Sequence, residues 1–213
     1  MPLTELSPVA DRAPLPGGVR ALLREADRRV GKFLFRGRIP AFVPSDYEGA
    51  FRVLRGLIES PDVRGTQFCE WGSGFGAVTC LAEEAGFDAC GIEAEAELVD
   101  QARRLAEDFG LAAEFAHGSF IPPGAEGRVY DGSTYSWLTT DSDHAYHELG
   151  LDVADLDVVF AYPWPDEEAL TAELFDRYAG PGAVLVTYHT TEGFRVRRKT
   201  ARRAKRRTRD PRG

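Results

Sequence analysis

The chain has 213 residues, of which 43% are hydrophobic and 28% charged, and its formal net charge is −8. That length suits one domain of ordinary size, and the composition excludes collagen-like, coiled-coil and wholly disordered chains. No apolar run approaches the roughly 20 residues that cross a bilayer, and residues 1–16 lack a basic stretch followed by an apolar one, so a cytoplasmic protein without a membrane span is expected.

The net charge hides a division. Residues 195–213 carry eleven Lys/Arg against one acid, which leaves 15 bases and 33 acids, or −18, on residues 1–194. A block so basic offers no apolar face to bury and suits phosphate-rich partners such as RNA or the ribosome. Three cysteines, Cys69, Cys80 and Cys90, have no CxxC spacing and apolar or small neighbours, which marks them as reduced core residues.

In chain order, residues 1–17 hold four prolines and read as a flexible N-terminal arm, followed by a domain over 18–194 and a basic disordered tail over 195–213. Val19, Leu22, Leu23, Ala26 and Val30 recur at helical spacing up to Gly31. A second helix, capped by Ser45 or Asp46, carries the stripe Tyr47, Ala50, Phe51, Leu54, Leu57 and Ile58 and ends at Ser60-Pro61. Then the rhythm changes. Strands are expected at 66–71, 87–92, 113–117, 157–161 and 183–188, with helices at 77–85 and around Leu98 to Phe109. Pro165 with the acids after it marks a further helix start. Strands alternating with helices make an α/β fold, a Rossmann-like parallel sheet of five or six strands with helices on both faces. Residues 121–156 interrupt the pattern with a loop rich in Pro, Gly, Ser and Asp and a short helix around His144 to Leu149, a candidate substrate-facing insertion.

The strongest constellation is Glu70-Trp71-Gly72-Ser73-Gly74-Phe75-Gly76, set between a strand and a helix. Glycines there let the backbone turn sharply and let a ligand approach, while the helix start offers unpaired N–H groups. Glu93 ends the next strand, 17 residues beyond Gly76, where its carboxylate reaches the first loop and can accept hydrogen bonds from both ribose hydroxyls of a nucleoside. The spacing reads as GxGxG or as the GxGxxA form of a dinucleotide site.

With its acid two residues before GxGxG, this segment resembles the first motif of the class I S-adenosylmethionine-dependent methyltransferases. The resemblance runs from about Val43 to Val186 and includes Phe42-Val43-Pro44-Ser45-Asp46, which looks like the segment before the first helix of small lysine methyltransferases. It implies S-adenosyl-L-methionine as cofactor, with Glu70 near its methionine part, Gly72, Ser73, Gly74 and Gly76 beneath it, and Glu93 on the ribose. Ser119, where many members carry an acid, would accept from the adenine amino group. The family fold also ends in a β-hairpin, and with so few residues after Tyr188 that hairpin is expected to be abbreviated, with at most 194–198 adding an edge strand.

At the fourth strand's end, Tyr162-Pro163-Trp164-Pro165 departs from the Asp/Asn-Pro-Pro-aromatic of amino methyltransferases acting on nucleobases or glutamine. Tyr162 and Trp164 are candidates for an aromatic wall around an unidentified methyl acceptor, whether protein, RNA or small molecule. His189, just past strand five, is the candidate proton acceptor. His144 and His147 beside Asp141 and Asp143 lack a further metal ligand, and no metal is expected. Two alternatives remain at this point: an NADP-dependent oxidoreductase, or a non-catalytic RNA-binding protein on a nucleoside fold.

Overall fold

The computed structural model describes residues 3–7, 10–35, 42–125, 127 and 145–200. In chain order they form β1 (Thr4–Leu6), α1 (Gly17–Phe35), α2 (Tyr47–Ile58), β2 (Gln67–Trp71), α3 (Ala77–Ala85), β3 (Asp88–Glu93), α4 (Ala96–Phe109) and β4 (Glu114–His117). After residues outside this description come α5 (Ala145–Leu149), β5 (Val158–Ala161), α6 (Glu168–Tyr178), β6 (Val184–His189) and β7 (Gly193–Arg198). No helix among the described residues is long and apolar enough to cross a membrane.

Local chemistry explains most of these elements. Asp46 opens α2 by accepting the Gly49 N–H at 2.9 Å, which satisfies one of the orphan donors of a helix start. Gly86 and Gly110, both at positive φ, close α3 and α4 in the left-handed conformation that only glycine adopts without cost. The central strands are buried on both faces. Phe68, Val158, Phe160, Val184 and Val186 meet α1 to α4, while Cys69, Trp71, Val159, Ala161 and Leu185 meet α5 and α6. The period-two alternation of each strand thus feeds two cores at once. All three cysteines are free and buried.

The sheet has seven strands in the order β1-β7-β6-β5-β2-β3-β4, against the five or six expected from the chain. Strands β2 to β6 are parallel, and β7 returns antiparallel beside β6. The chain runs outward from β2 through β3 to β4, then crosses back to lay β5 on the other side of β2. That reversal opens a crevice at the carboxyl ends of β2 and β5, the place where open parallel sheets take ligands.

Two expectations are corrected at the sheet edge. The N-terminal arm contributes a strand: Thr4 to Leu6 pairs with Val196 to Arg198 and forms the outermost strand. The hairpin is complete and reaches into the supposed tail, since Arg195 to Arg198 are strand and Lys199 N–H still bonds Ala183 C=O at 2.8 Å. Within the basic run lies an alternation. Phe194 and Val196 turn to the core, with Val196 fully buried, while Arg195 on the other face pairs with Glu5; Arg198, at the strand's end, pairs with Asp62. Lys199 is buried and donates to the Ala179 carbonyl. Four of the eleven basic residues therefore belong to the folded body; residues 201–213 lie outside the described residues, as do His144, Asp141, Asp143 and half of the 121–156 insertion.

Candidate active site

The crevice widens into a cleft of about 350 Å³. Its floor is the β2–α3 turn, where Gly72, Gly74 and Gly76 take φ of 74°, 53° and 70°. The three glycines do different things. A Cβ on Gly72 would meet no atom within 4 Å, so this residue presents bare backbone to the cleft. On Gly74 it would stand 2.6 Å from the Phe42 ring that closes over the loop. On Gly76, which does not line the cleft, it would stand 2.5 Å from the Phe115 ring and 2.7 Å from Ala102. Gly76 thus seats α3 against α4 and β4, where sequence reasoning had put it beneath the cofactor.

Two carboxylates organise this floor. Glu93 accepts Gly74 N–H at 2.7 Å through one oxygen and Glu95 N–H at 3.0 Å through the other, so the loop holds its acid before any ligand arrives. Burial pushes its pKa up against the pull of those N–H donors. Glu70 lies on the face of β2 beneath α3. One of its oxygens accepts both Thr79 N–H at 2.9 Å and Thr79 Oγ at 2.6 Å. Gly76, at the start of α3, has no side chain to cap that helix, and Glu70 supplies the missing acceptor from outside. Burial raises the Glu70 pKa to about 8, with the Thr79 hydrogen bonds opposing and the charge of Glu93 adding to the rise. The α3 cap is a second role for Glu70 that its place in the motif did not reveal.

Ser73 is 5% exposed, lines the cleft, and its Oγ has no hydrogen-bond partner among the described residues. A buried hydroxyl left unpaired costs about 1–3 kcal/mol, so a ligand atom that pairs with it gains by that contact. Ser119 behaves differently. It is buried, its Oγ accepts Ile121 N–H at 3.0 Å, and it is not among the cleft-lining residues. The turn after β4 uses the hydroxyl for its own backbone, and Phe120 meets the cleft in its place, stacked on Trp71 with ring centroids 5.2 Å apart. Phe42 to Ser45, Tyr47, Glu95 and Leu98 complete the walls; of these only the 42–46 segment carried a sequence signal.

On the opposite rim, Tyr162 and Trp164 line the cleft. Trp164 is 40% exposed, and its backbone N–H donates to Glu167 at 3.2 Å. The Tyr162 hydroxyl meets Thr190 Oγ at 2.6 Å, and its ring packs edge-on against Tyr188. His189 is the clearest departure. It is buried at 8% exposure and does not line the cleft, its Nδ1 donates to Glu168 at 2.7 Å, and its Nε2 shares a hydrogen bond with Thr187 Oγ at 2.9 Å. With both ring nitrogens committed it ties β6 to α6, and the role of free proton acceptor facing the cofactor is not one this placement supports.

No family model matches the chain, and no curated protein matches it in sequence. Solved structures do match. A methyltransferase from Geobacter sulfurreducens superposes with a TM-score of 0.50 at 16% identity, over 88% of this chain and 93% of that one. An O-methyltransferase from Bacillus cereus, in complex with SAH, superposes with a TM-score of 0.50 at 16% identity, over 83% of this chain and 67% of that one. The chain has the class I, Rossmann-like fold of the S-adenosylmethionine-dependent methyltransferases.

Proposed function

We propose that the protein is an S-adenosylmethionine-dependent methyltransferase whose acceptor enters past Tyr162 and Trp164. The observation that carries this reading is the acidic lining of the cleft: among the described residues Glu70, Glu93, Glu95 and Glu167 line it, and no lysine or arginine does. S-adenosylmethionine brings a sulfonium and an ammonium against one carboxylate, and a net cation is what such a lining favours. The pyrophosphate of NADP would bring negative charge to the same acids, with no cation among the described lining residues to receive it, which argues against the oxidoreductase alternative. Room and polarity also fit, in the open space beside Gly72 and the unpaired Ser73 hydroxyl.

The bound cofactor supplies a methyl group on a positively charged sulfur, ready for in-line displacement. The chain's part is to bind and orient. Glu93, already aligned by Gly74 and Glu95, offers its remaining lone pairs to the two ribose hydroxyls. Glu70 faces the cationic amino group, and a cation beside it lowers a pKa that burial has raised. Trp164, held between two prolines and by Glu167, gives the acceptor a fixed wall, so most of the rate comes from proximity and orientation. Calorimetry with S-adenosylmethionine, its demethylated product and NADPH tests the reading. The first two should bind and NADPH should not, and Glu93→Ala should weaken S-adenosylmethionine by roughly 1.5 to 3 kcal/mol through loss of charge-assisted hydrogen bonds. Binding of NADPH in preference to both would overturn it.

A further inference from the structure

A second cavity, of about 490 Å³, adjoins the cleft and shares Val43, Tyr162, Pro163 and Trp164 with it. The rest of its lining comes from the start of α6, with Pro165 and Glu168, and from the β6–β7 turn, His189 to Glu192. Among the described residues its charged side chains are Glu168 and Glu192, with no lysine or arginine in the lining. Glu168 is held in place by His189 Nδ1 on one oxygen, which leaves the other oxygen to accept. Trp164 is among the few large apolar side chains exposed in the described chain, and the prolines on either side restrict its backbone.

An exposed indole beside two carboxylates is poor packing and good recognition chemistry. The negative face of the ring attracts a cation, and carboxylates make their shortest and strongest hydrogen bonds to one. An anionic group would meet repulsion from both acids. A neutral apolar group would desolvate them without pairing them.

We propose that this second cavity binds a positively charged amine group of the methyl acceptor, between the rings of Tyr162 and Trp164 and the carboxylates of Glu168 and Glu192. The word acceptor rests on the methyltransferase reading; the preference for a cation does not. Tyr162 and Trp164 then separate two cationic ligands, one on each side, and fix the approach of the second to the first.

The probes are n-butylammonium, butyrate as its charge-reversed counterpart and butanol as the neutral one, each titrated by ligand-observed NMR against the full chain, with and without S-adenosylhomocysteine. Butylammonium should bind saturably, with a Kd on the order of millimolar, and about tenfold or more tighter than butyrate or butanol. Glu192→Gln should weaken it about threefold or more, and Trp164→Ala should abolish saturable binding. Glu192→Gln should bind S-adenosylhomocysteine as the unaltered chain does. Equal binding of the three probes, no binding of butylammonium, or butylammonium binding unchanged in both variants would each overturn the inference. Failure of the chain to bind S-adenosylhomocysteine while butylammonium still binds would overturn the methyltransferase reading and leave the cation site standing.

Discussion

On the β2–α3–β3 side of the cleft, the groups that face a ligand are backbone and buried acid: Gly72, the Ser73 hydroxyl, and carboxylates tied to Gly74, Glu95 and Thr79 by hydrogen bonds of 2.6 to 3.0 Å. On the β5–α6–β6 side they are ring faces and acids on turns, with Trp164 exposed and Glu192 in the hairpin loop. The first side cannot change without disturbing the elements that hold it, because Glu70 also caps α3 and Gly76 also seats it. The second can change at little structural cost. A rigid floor for an invariant ligand and an adjustable wall for a variable one is the division of labour that this contrast describes.

The contrast breaks most completely if the sheet loses β7. A chain ending at Phe194 discards the fully buried Val196 and both neighbours' pairing partners, so it should lose its cooperative thermal transition by circular dichroism. A chain ending at Thr200 should keep its Tm within about 3 °C, a change of under roughly 1 kcal/mol for a domain of this size. It should also keep its cofactor affinity and lose any RNA retention that falls steeply with salt. RNA retention that persists after cutting at Thr200 would take the basic segment out of the account.

A valine at each glycine sharpens the floor. Gly72→Val places its methyls in the open cleft, so S-adenosylmethionine binding should vanish in calorimetry while the fold survives a strain of about 1–2 kcal/mol from the positive φ. Gly76→Val adds the same strain to a collision with Phe115 and Ala102, and overpacking of that kind costs a further 1–3 kcal/mol or so. It should melt well below Gly72→Val. The reverse order would show that Gly76, and not Gly72, is the ligand-facing position.

Glu70 makes the floor sensitive to pH. Its carboxyl has a pKa near 8 in the folded chain against an ordinary 4.5, so the folded state holds the proton more tightly than the unfolded state does. The stability this contributes is present in full below about pH 4.5 and is lost as pH rises through 8. Glu70→Gln, which keeps an acceptor for Thr79 and cannot ionise, should therefore gain in Tm relative to the unaltered chain as pH is raised from 5 to 9. A difference in Tm that stays flat over that range would remove the buried proton from the description.

The smallest structural effect belongs to the wall. Trp164→Ala should cost under about 1 kcal/mol of stability, because a side chain 40% exposed and held mainly by its backbone leaves no large cavity; a core tryptophan would cost about 3–5 kcal/mol. Methyl transfer should fall about tenfold or more while the S-adenosylmethionine Kd stays within about threefold. A large drop in Tm would move Trp164 from wall to core.

Much of the floor was legible in the chain because its signals are local. The acid and glycines sit within seven consecutive residues, Asp46 caps a helix three residues away, and Glu93 ends the strand next in line. The misreadings share a cause. Ser119 and His189 were placed correctly at strand ends, but whether a side chain faces the cleft or a neighbour depends on what packs beside it. Ser119 turns to Ile121 N–H, and His189 to Glu168 and Thr187.

The sequence by itself determined the order of strands and helices, the glycine turn and its two carboxylates, since alternation, capping and positive φ are set by residues within a turn or two of one another. Only the tertiary structure decided that Thr4 to Leu6 is a strand, and that 194–198, allowed by the sequence as at most an edge strand, is an inner strand between β6 and β1. A three-residue arm and a run of arginines have little local reason to be extended. They become strands because the free edge of β6 offers unpaired N–H and C=O groups, and because Val196 finds a core to enter, both supplied by residues far away in the chain. The second cavity has the same origin, since residues 162–168 and 189–192 meet only after β5 and β6 have paired.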